Sequence, residues 1–159
     1  MKIHAKIPFT RLLLILLLTG LSMFSISSQS SAATPQIGDS YGGGVVFYVD
    51  GTGQHGLIAA KSDVTIKISD KEKGFFTWYS AKVSANAFVE GFGDWFLPNK
   101  EQLYQLYSHH SALGGFEGTY YWSSSESDAN KAWAQDFATG TQIDGNKTNT
   151  GRLRPVRYF

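Results

Sequence analysis

The feature that most constrains the fold is a single well-marked helix between two groups of strand-forming segments. Asn99 is a good helix N-cap, and Gln102, three residues later, completes a pattern like a capping box. The apolar face that follows consists of Leu103, Leu106 and Tyr107. Because strand-like runs stand before and after this helix instead of alternating with helices, the order predicts an α+β fold.

Two strand-forming runs precede the helix. Residues 45–49 are β-branched and aromatic, and residues 56–60 follow after a turn rich in Gly and Asp, so we expect a hairpin. Residues 77–79 fit either a short strand or a packed loop. Ser80 is a possible N-cap for a second helix over 81–89, although the apolar stripe of that segment is weak.

Strand patterns dominate after the helix. We expect strands within 120–123, 132–137, 141–143 and 152–159. Pro155 has no N–H to donate to a ladder, so the last strand must bulge or lie at a sheet edge.

Residues 1–33 have the pattern of a Sec-type signal peptide. The positive n-region contains Lys2, Lys6 and Arg11. An apolar run opens at 12–18, and small residues at 31–33 suit a signal peptidase. The alternative is an uncleaved anchor, but this run is short of the ~20 residues that a spanning helix needs. We therefore predict an exported protein, in the periplasm, on the cell surface or outside the cell, with no stable membrane insertion after cleavage.

Residues 34–159 have the length of a single domain. Three of the 14 Lys and Arg residues lie in the leader, so 11 basic and 13 acidic residues remain, a net charge of −2. This balance gives no general attraction to nucleic acid, and no nucleic-acid partner is predicted. The chain contains no Cys, which excludes thiol chemistry and Cys-ligated metals; no cofactor is predicted.

Several segments occur in an order typical of one group of bacterial exported domains. Residues 95–103 resemble a Trp-Arg-Leu-Pro-Thr-x-x-Glu-Leu element, and residues 121–126 match Tyr-Trp-Ser-Ser-(Ser/Thr)-Glu. Residues 132–140 and 154–157 match the closing strands. Over roughly residues 36–159 the chain thus resembles the DUF1566 family, which includes the C-terminal domain of the Legionella collagen-like adhesin.

The resemblance implies a C-type-lectin-like fold, with antiparallel strands and one or two helices. It also implies a role in surface adhesion or glycan binding, since sulfated glycosaminoglycans are the ligand class of the collagen-like adhesin. This sequence departs from that adhesin because it carries no collagen-like stalk to trimerise it, so an oligomer is possible but not implied. Phe96 also replaces the usual Arg, which removes a possible internal ion pair.

The basic candidates for ligand binding are Lys147, Arg152, Arg154 and Arg157. Guanidinium groups offer forked donors to sulfate or carboxylate, so this segment is typical of an anion-binding patch. Strand alternation places Arg152 and Arg154 on one face and Arg157 on the other, unless the proline shifts the register. The alternative is that Arg154 and Arg157 pair with acids such as Asp136 or Glu126 and fix the C-terminus.

Polar residues upstream complete the predicted site. Asn130, Lys131 and Asn146 are further candidates for contacts with a ligand. Glu126, Asp128 and Asn130 are weak candidates for a calcium ion. An EF-hand loop starting at Glu126 would need Gly where Lys131 stands, and no metal site is predicted.

The family resemblance, together with the basic cluster over 147–157, implies a non-catalytic, exported module that binds a surface ligand, most favourably an anionic glycan. One alternative is a protein-binding display domain of the diversity-generating type. A less favoured alternative is an envelope glycoside hydrolase, because no nucleophile, carboxylate pair or metal cluster stands out. The expected partner is a glycan or a surface protein.

Overall fold

The structure, a computed structural model, describes residues 33–68, 71–88 and 91–159. From Ala33 to Phe159 they belong to one compact unit. The predicted signal peptide, apart from Ala33, lies outside the described residues. Within the described ranges, no helix is long and apolar enough to cross a membrane.

Short strands and three short helices make up the described part of the chain, and the predicted α+β class is confirmed. In chain order the elements are β1 (Ser40–Tyr41), β2 (Gly44–Val49), β3 (Gly56–Ala60), β4 (Ile66–Ile68), β5 (Lys71–Lys73), β6 (Phe76–Thr77), α1 (Trp78–Asn86), α2 (Lys100–Ser108), α3 (His110–Leu113), β7 (Tyr120–Glu126), β8 (Lys131–Asp136), β9 (Gln142–Asn146), β10 (Thr150–Gly151) and β11 (Val156–Tyr158).

The first sheet has the antiparallel order β1-β2-β3-β11 and contains the predicted hairpin of β2 and β3. Of the bulge and the edge position that Pro155 left open, the structure has the edge: β11, which begins directly after Pro155, pairs with β3 at one end of this sheet. The predicted final strand over 152–159 is too long. The strand that pairs with β3 covers only Val156–Tyr158. The short strand β10 lies just before the predicted range and pairs with β6.

The second sheet has the order β7-β8-β9, and its pairs are antiparallel. All three strands lie where the sequence predicts them, although β9 extends further, to Asn146. The register shifts between Trp122 and Glu126, where β7 bulges away from β8.

The two longer helices differ in how well their sequence predicts them. In α2 the capping box is confirmed: the Gln102 amide N–H donates to the Asn99 side chain at 2.8 Å, and the Asn99 amide donates to the Gln102 side chain at 2.9 Å. For α1 the predicted start is wrong. Thr77, not Ser80, is the N-cap, because its hydroxyl oxygen accepts the backbone N–H of Ser80, and the helix therefore begins at Trp78.

Helix α2 packs against β2, β7 and β8, and so joins the two sheets. Its buried residues Leu103 and Leu106 share a cluster with Phe47, Leu57 and residues of β7. On the opposite side of the first sheet, Val46, Ile58, Ala60 and Trp95 form a separate cluster. Both faces of the central strand β3 are therefore buried, and the exposed surface of this part of the fold comes mainly from the neighbouring strands, α2 and the loops.

Candidate functional site

The predicted site residues do not form one patch. Arg152 and Arg154 meet at Asp63, and Arg157 pairs with Asp94. Lys147 pairs with Glu126. Asn130, Lys131 and Asn146 gather at one end of β8 and β9, where Lys131 and Asn146 are cross-strand partners.

Arg154 is part of the interior. Its side chain is 1% exposed, and its Nε donates to Asp63 at 2.7 Å. The two Nη atoms donate to the backbone carbonyls of Ala60 and Gly115, and the guanidinium lies 4.0 Å from the Phe116 ring centroid. The prediction that Arg154 contacts a ligand is therefore corrected, because the side chain is buried and each of its three nitrogens donates inside the fold.

Asp63 is the centre of this buried network. Its carboxylate also accepts the hydroxyl of Tyr121 at 2.7 Å and one Nη of Arg152 at 3.3 Å. Burial, together with the neighbouring Asp63 carboxylate, raises the pKa of Tyr121 well above its usual value. Tyr121 therefore stays protonated and can donate to Asp63 throughout the physiological pH range.

Arg157 fixes the end of β11 to the loop before α2. Its Nε and Nη2 donate to the two carboxylate oxygens of Asp94 at 2.6 and 3.0 Å, and its Nη1 donates to the carbonyl of Gly42. The hydrogen bond from Arg157 lowers the pKa of Asp94. Internal pairing of Arg154 and Arg157, the alternative raised by the sequence, is what the structure has, but the acids are Asp63 and Asp94 in place of Asp136 or Glu126.

Lys147 is also buried, with a side chain 4% exposed. Its Nζ donates to the Glu126 carboxylate at 2.5 Å and to the carbonyls of Asp128 and Ala129 at 3.1 and 2.8 Å. The prediction of Lys147 as a ligand contact is corrected for the same reason as that of Arg154. The hydrogen bond from Lys147 lowers the pKa of Glu126.

The oxygen-rich segment 126–130 thus surrounds an ammonium group of the protein itself. The Asp128 carboxylate, moreover, accepts the backbone N–H groups of Asn130 and Lys131 at 2.7 and 2.8 Å. Glu126 and Asp128, the weak calcium candidates, are therefore both occupied by protein donors. In the part of the chain that the structure describes, no group of three or more His, Asp or Glu residues is arranged to hold a metal ion.

Of the predicted arginines, Arg152 lines an open cleft. The cleft has a volume of about 530 Å³ and is lined by Thr65, Lys73, Gly74, Phe75 and Arg152. We call it the Arg152 cleft. A Cβ atom at position 74 would lie 3.1 Å from an Arg152 guanidinium nitrogen, so Gly74 leaves room for this side chain.

Arg152 has unused binding capacity. Its side chain is 21% exposed, and among the described residues its charged contact is the shared Asp63 carboxylate at 3.3 Å. Its Nε is buried and has no hydrogen-bond partner there, so an anion would meet the exposed part of the guanidinium first. Within the part of the chain that the structure describes, one carboxylate faces two guanidinium groups, which leaves an excess of positive charge, and the exposed Lys73 adds another positive charge at the rim. An anion entering the cleft would meet both.

The sequence reasoning missed most of this cleft. Asp63 lies 89 residues from Arg152, and nothing in its local sequence predicts that it faces an arginine. Lys73 and Phe75 lie in the stretch for which the sequence predicts no structure before residue 77. Residues 71–76 are a charged run of three residues, Gly74 and two phenylalanines, an order with neither the strand nor the helix period.

Comparison with known proteins agrees with the landmarks in the sequence. No curated protein matches the chain. The family model described as the Lcl C-terminal domain matches residues 55–157, which is more than half of the chain and includes both Asp63 and the Arg152 cleft. The resemblance to the C-terminal domain of the collagen-like adhesin is thereby confirmed, and the chain belongs to the Lcl C-terminal domain family.

Proposed function

We propose that this protein is an exported, non-catalytic recognition module that binds anionic groups of surface glycans in the Arg152 cleft. Membership of the Lcl C-terminal domain family makes the chain an adhesin-related module. Anionic glycan groups are the ligand class proposed in addition, and the Arg152 cleft is their proposed binding site. The observation that carries the proposal is the partly exposed guanidinium of Arg152, which shares its Asp63 partner with Arg154 and lines an open cleft.

The chemistry of the cleft suits a sulfated or carboxylated sugar. Arg152 supplies forked donors for an oxyanion, and Lys73 adds a mobile charge that needs no fixed geometry. Phe75, 50% exposed and with its ring centroid 4.9 Å from the Arg152 guanidinium, offers an apolar face for the C–H side of a sugar ring. The neutral balance of the rest of the domain means that attraction stays local to this cleft.

Calorimetric titration with a sulfated heparin hexasaccharide tests the proposal. Arg152→Gln should weaken binding at least about tenfold, because a charge-assisted hydrogen bond contributes roughly 1.5–3 kcal/mol. Lys73→Gln should weaken it less and reduce its dependence on salt. Lys61→Gln is the matched control, since it removes one charge from an exposed lysine that does not line the cleft.

Two results would count against the proposal. Absence of measurable binding to the hexasaccharide at low salt would exclude sulfated glycans as the ligand. Equal losses in Arg152→Gln and Lys61→Gln would mean that binding follows net charge instead of the cleft.

A further inference from the structure

A second groove lies across the first sheet and beside α2. It has a volume of about 300 Å³ and is lined by Tyr48, Leu57, Glu101, Gln102, Gln105 and Tyr158. It shares no lining residue with the Arg152 cleft. We call it the tyrosine groove.

The strand register builds the walls of the tyrosine groove. Leu57 is the direct cross-strand partner of both Tyr48 and Tyr158, so the three side chains point to the same face of three adjacent strands. Because neighbouring strands are about 4.8 Å apart, the backbones of the two tyrosines are roughly 10 Å apart. Leu57, 6% exposed, forms an apolar floor between two aromatic walls.

A β-bulge places one of these walls. Val46 pairs with Ile58, so an unbroken register would set Phe47 opposite Leu57. The shift between Val46 and Tyr48 sets Tyr48 there instead, while Phe47 stays fully buried. The extra residue therefore turns a tyrosine toward the groove without exposing the core.

The other wall is exposed yet held in place. Tyr158 is 59% exposed, its ring stacks on Phe96 at a centroid distance of 5.2 Å, and its hydroxyl accepts the Gln102 side-chain amide at 2.8 Å. The same Gln102 side chain closes the capping box of α2 with Asn99. An aromatic face fixed in this way loses little entropy when a ligand stacks on it.

Free polar groups surround these apolar surfaces. The Glu101 carboxylate, the Gln105 side-chain amide and the Tyr48 hydroxyl have no hydrogen-bond partner among the residues that the structure describes. Together they can both donate to and accept from hydroxyl groups. The charge of Glu101 works against an anion, so the ligand chemistry differs from that of the Arg152 cleft.

We infer that the tyrosine groove binds an uncharged hexopyranose ring. Such a ring has apolar C–H faces for Tyr48 and Tyr158 and hydroxyl groups on its edge for Glu101 and Gln105. This site goes beyond the proposed function, because its ligand is neutral and it does not depend on Arg152. A glycan with charged and uncharged sugars would then have two independent contacts on one domain.

The test is saturation-transfer NMR on the full protein with three probes: methyl β-D-galactopyranoside, methyl β-D-glucopyranoside and methyl α-D-mannopyranoside. We expect transfer from the protein to the ring C–H protons of at least one of them. Tyr48→Ala and Tyr158→Ala should each weaken its binding by about three- to tenfold, the range expected for one aromatic contact.

Three further variants sharpen the result. Tyr104→Ala is the matched control. Tyr104 is an exposed tyrosine of α2, the helix beside the groove, but it does not line the groove. Tyr48→Phe should bind more tightly than Tyr48→Ala, since it retains the ring face and loses only the hydroxyl, and so separates stacking from the polar contact. Arg152→Gln should leave glycoside binding unchanged, which keeps this test independent of the proposed function.

The inference is overturned if no glycoside shows transfer, or if Tyr48→Ala and Tyr158→Ala bind as wild type does while keeping its backbone NMR spectrum. A proline-rich decapeptide is included as a competing ligand, because proline rings also stack between tyrosines. Binding of that peptide alone, lost in both alanine variants, would mean a peptide groove and would likewise overturn the inference.

Discussion

At the scale of single residues, charge in this domain serves the fold more than the ligand. Counted over the whole residue, Arg154 is 1% exposed and Lys147 is 3% exposed. Each donates to backbone carbonyls inside the fold. A buried cation of this kind depends on its partner, because removal of the partner leaves the charge desolvated and unpaired. The basic residues of the C-terminal segment therefore divide into the cleft residue Arg152 and structural cations that pair within the fold, which are Lys147, Arg154 and Arg157.

Substitution of Asp63 tests the structural part of this division. Asp63→Asn keeps the volume but leaves the buried Arg154 without a counter-charge, and we expect a loss of about 3–5 kcal/mol in the free energy of unfolding. Urea denaturation of the purified protein measures it. The control is Asp144→Asn, which breaks an exposed pair with Lys131 and should cost no more than about 1 kcal/mol. Similar losses in the two variants would contradict a central role for Asp63.

At the scale of elements, local signals were readable from the sequence and distant pairings were not. The capping box of α2 lies within four consecutive residues, and the hairpin of β2 and β3 within seventeen, so both could be predicted. The start of α1 was misjudged by a few residues because Thr77 and Ser80 are both good cap residues. The acid partners of Arg154 and Arg157 lie 91 and 63 residues away, beyond any periodic pattern.

The Arg157–Asp94 pair, which joins β11 to the loop before α2, predicts that the stability of the fold depends on pH. Arg157 lowers the pKa of Asp94 in the folded state. The ionised Asp94 carboxylate therefore contributes its full stabilisation above the pKa of an unfolded Asp, about 3.9, and this stabilisation is lost as pH falls through the lower folded-state pKa. Because Asp94 is 57% exposed, we expect at most about 1 kcal/mol, weakened by salt.

The measurement is the difference in unfolding free energy between wild type and Asp94→Asn at pH 7, 5, 4 and 3. This difference should be constant from pH 7 to pH 5 and should shrink toward pH 3. A difference that stays the same down to pH 3 would mean that the Arg157–Asp94 pair contributes nothing in its charged form.

At the scale of the whole molecule, the two sheets joined by α2 form a scaffold that carries both proposed ligand surfaces. The Arg152 cleft is formed by the β5–β6 connection and the segment after β10, and the tyrosine groove by β2, β3, β11 and α2. Family resemblance could predict the class of module, but it could not place the cleft. That placement depends on Asp63, Lys73 and Phe75, which carry none of the family's landmark motifs.

The most direct test of the central claim is to map the sulfated hexasaccharide on the protein by ¹H–¹⁵N NMR. We predict that the largest shifts occur at the backbone amides of Gly74 and Phe75 and at the side-chain Nε–H of Arg152, which is buried without a partner in the described residues. Shifts confined to Asn130, Lys131 and Asn146, with the Arg152 Nε–H unmoved, would place the anion at the end of β8 and β9 and contradict the account.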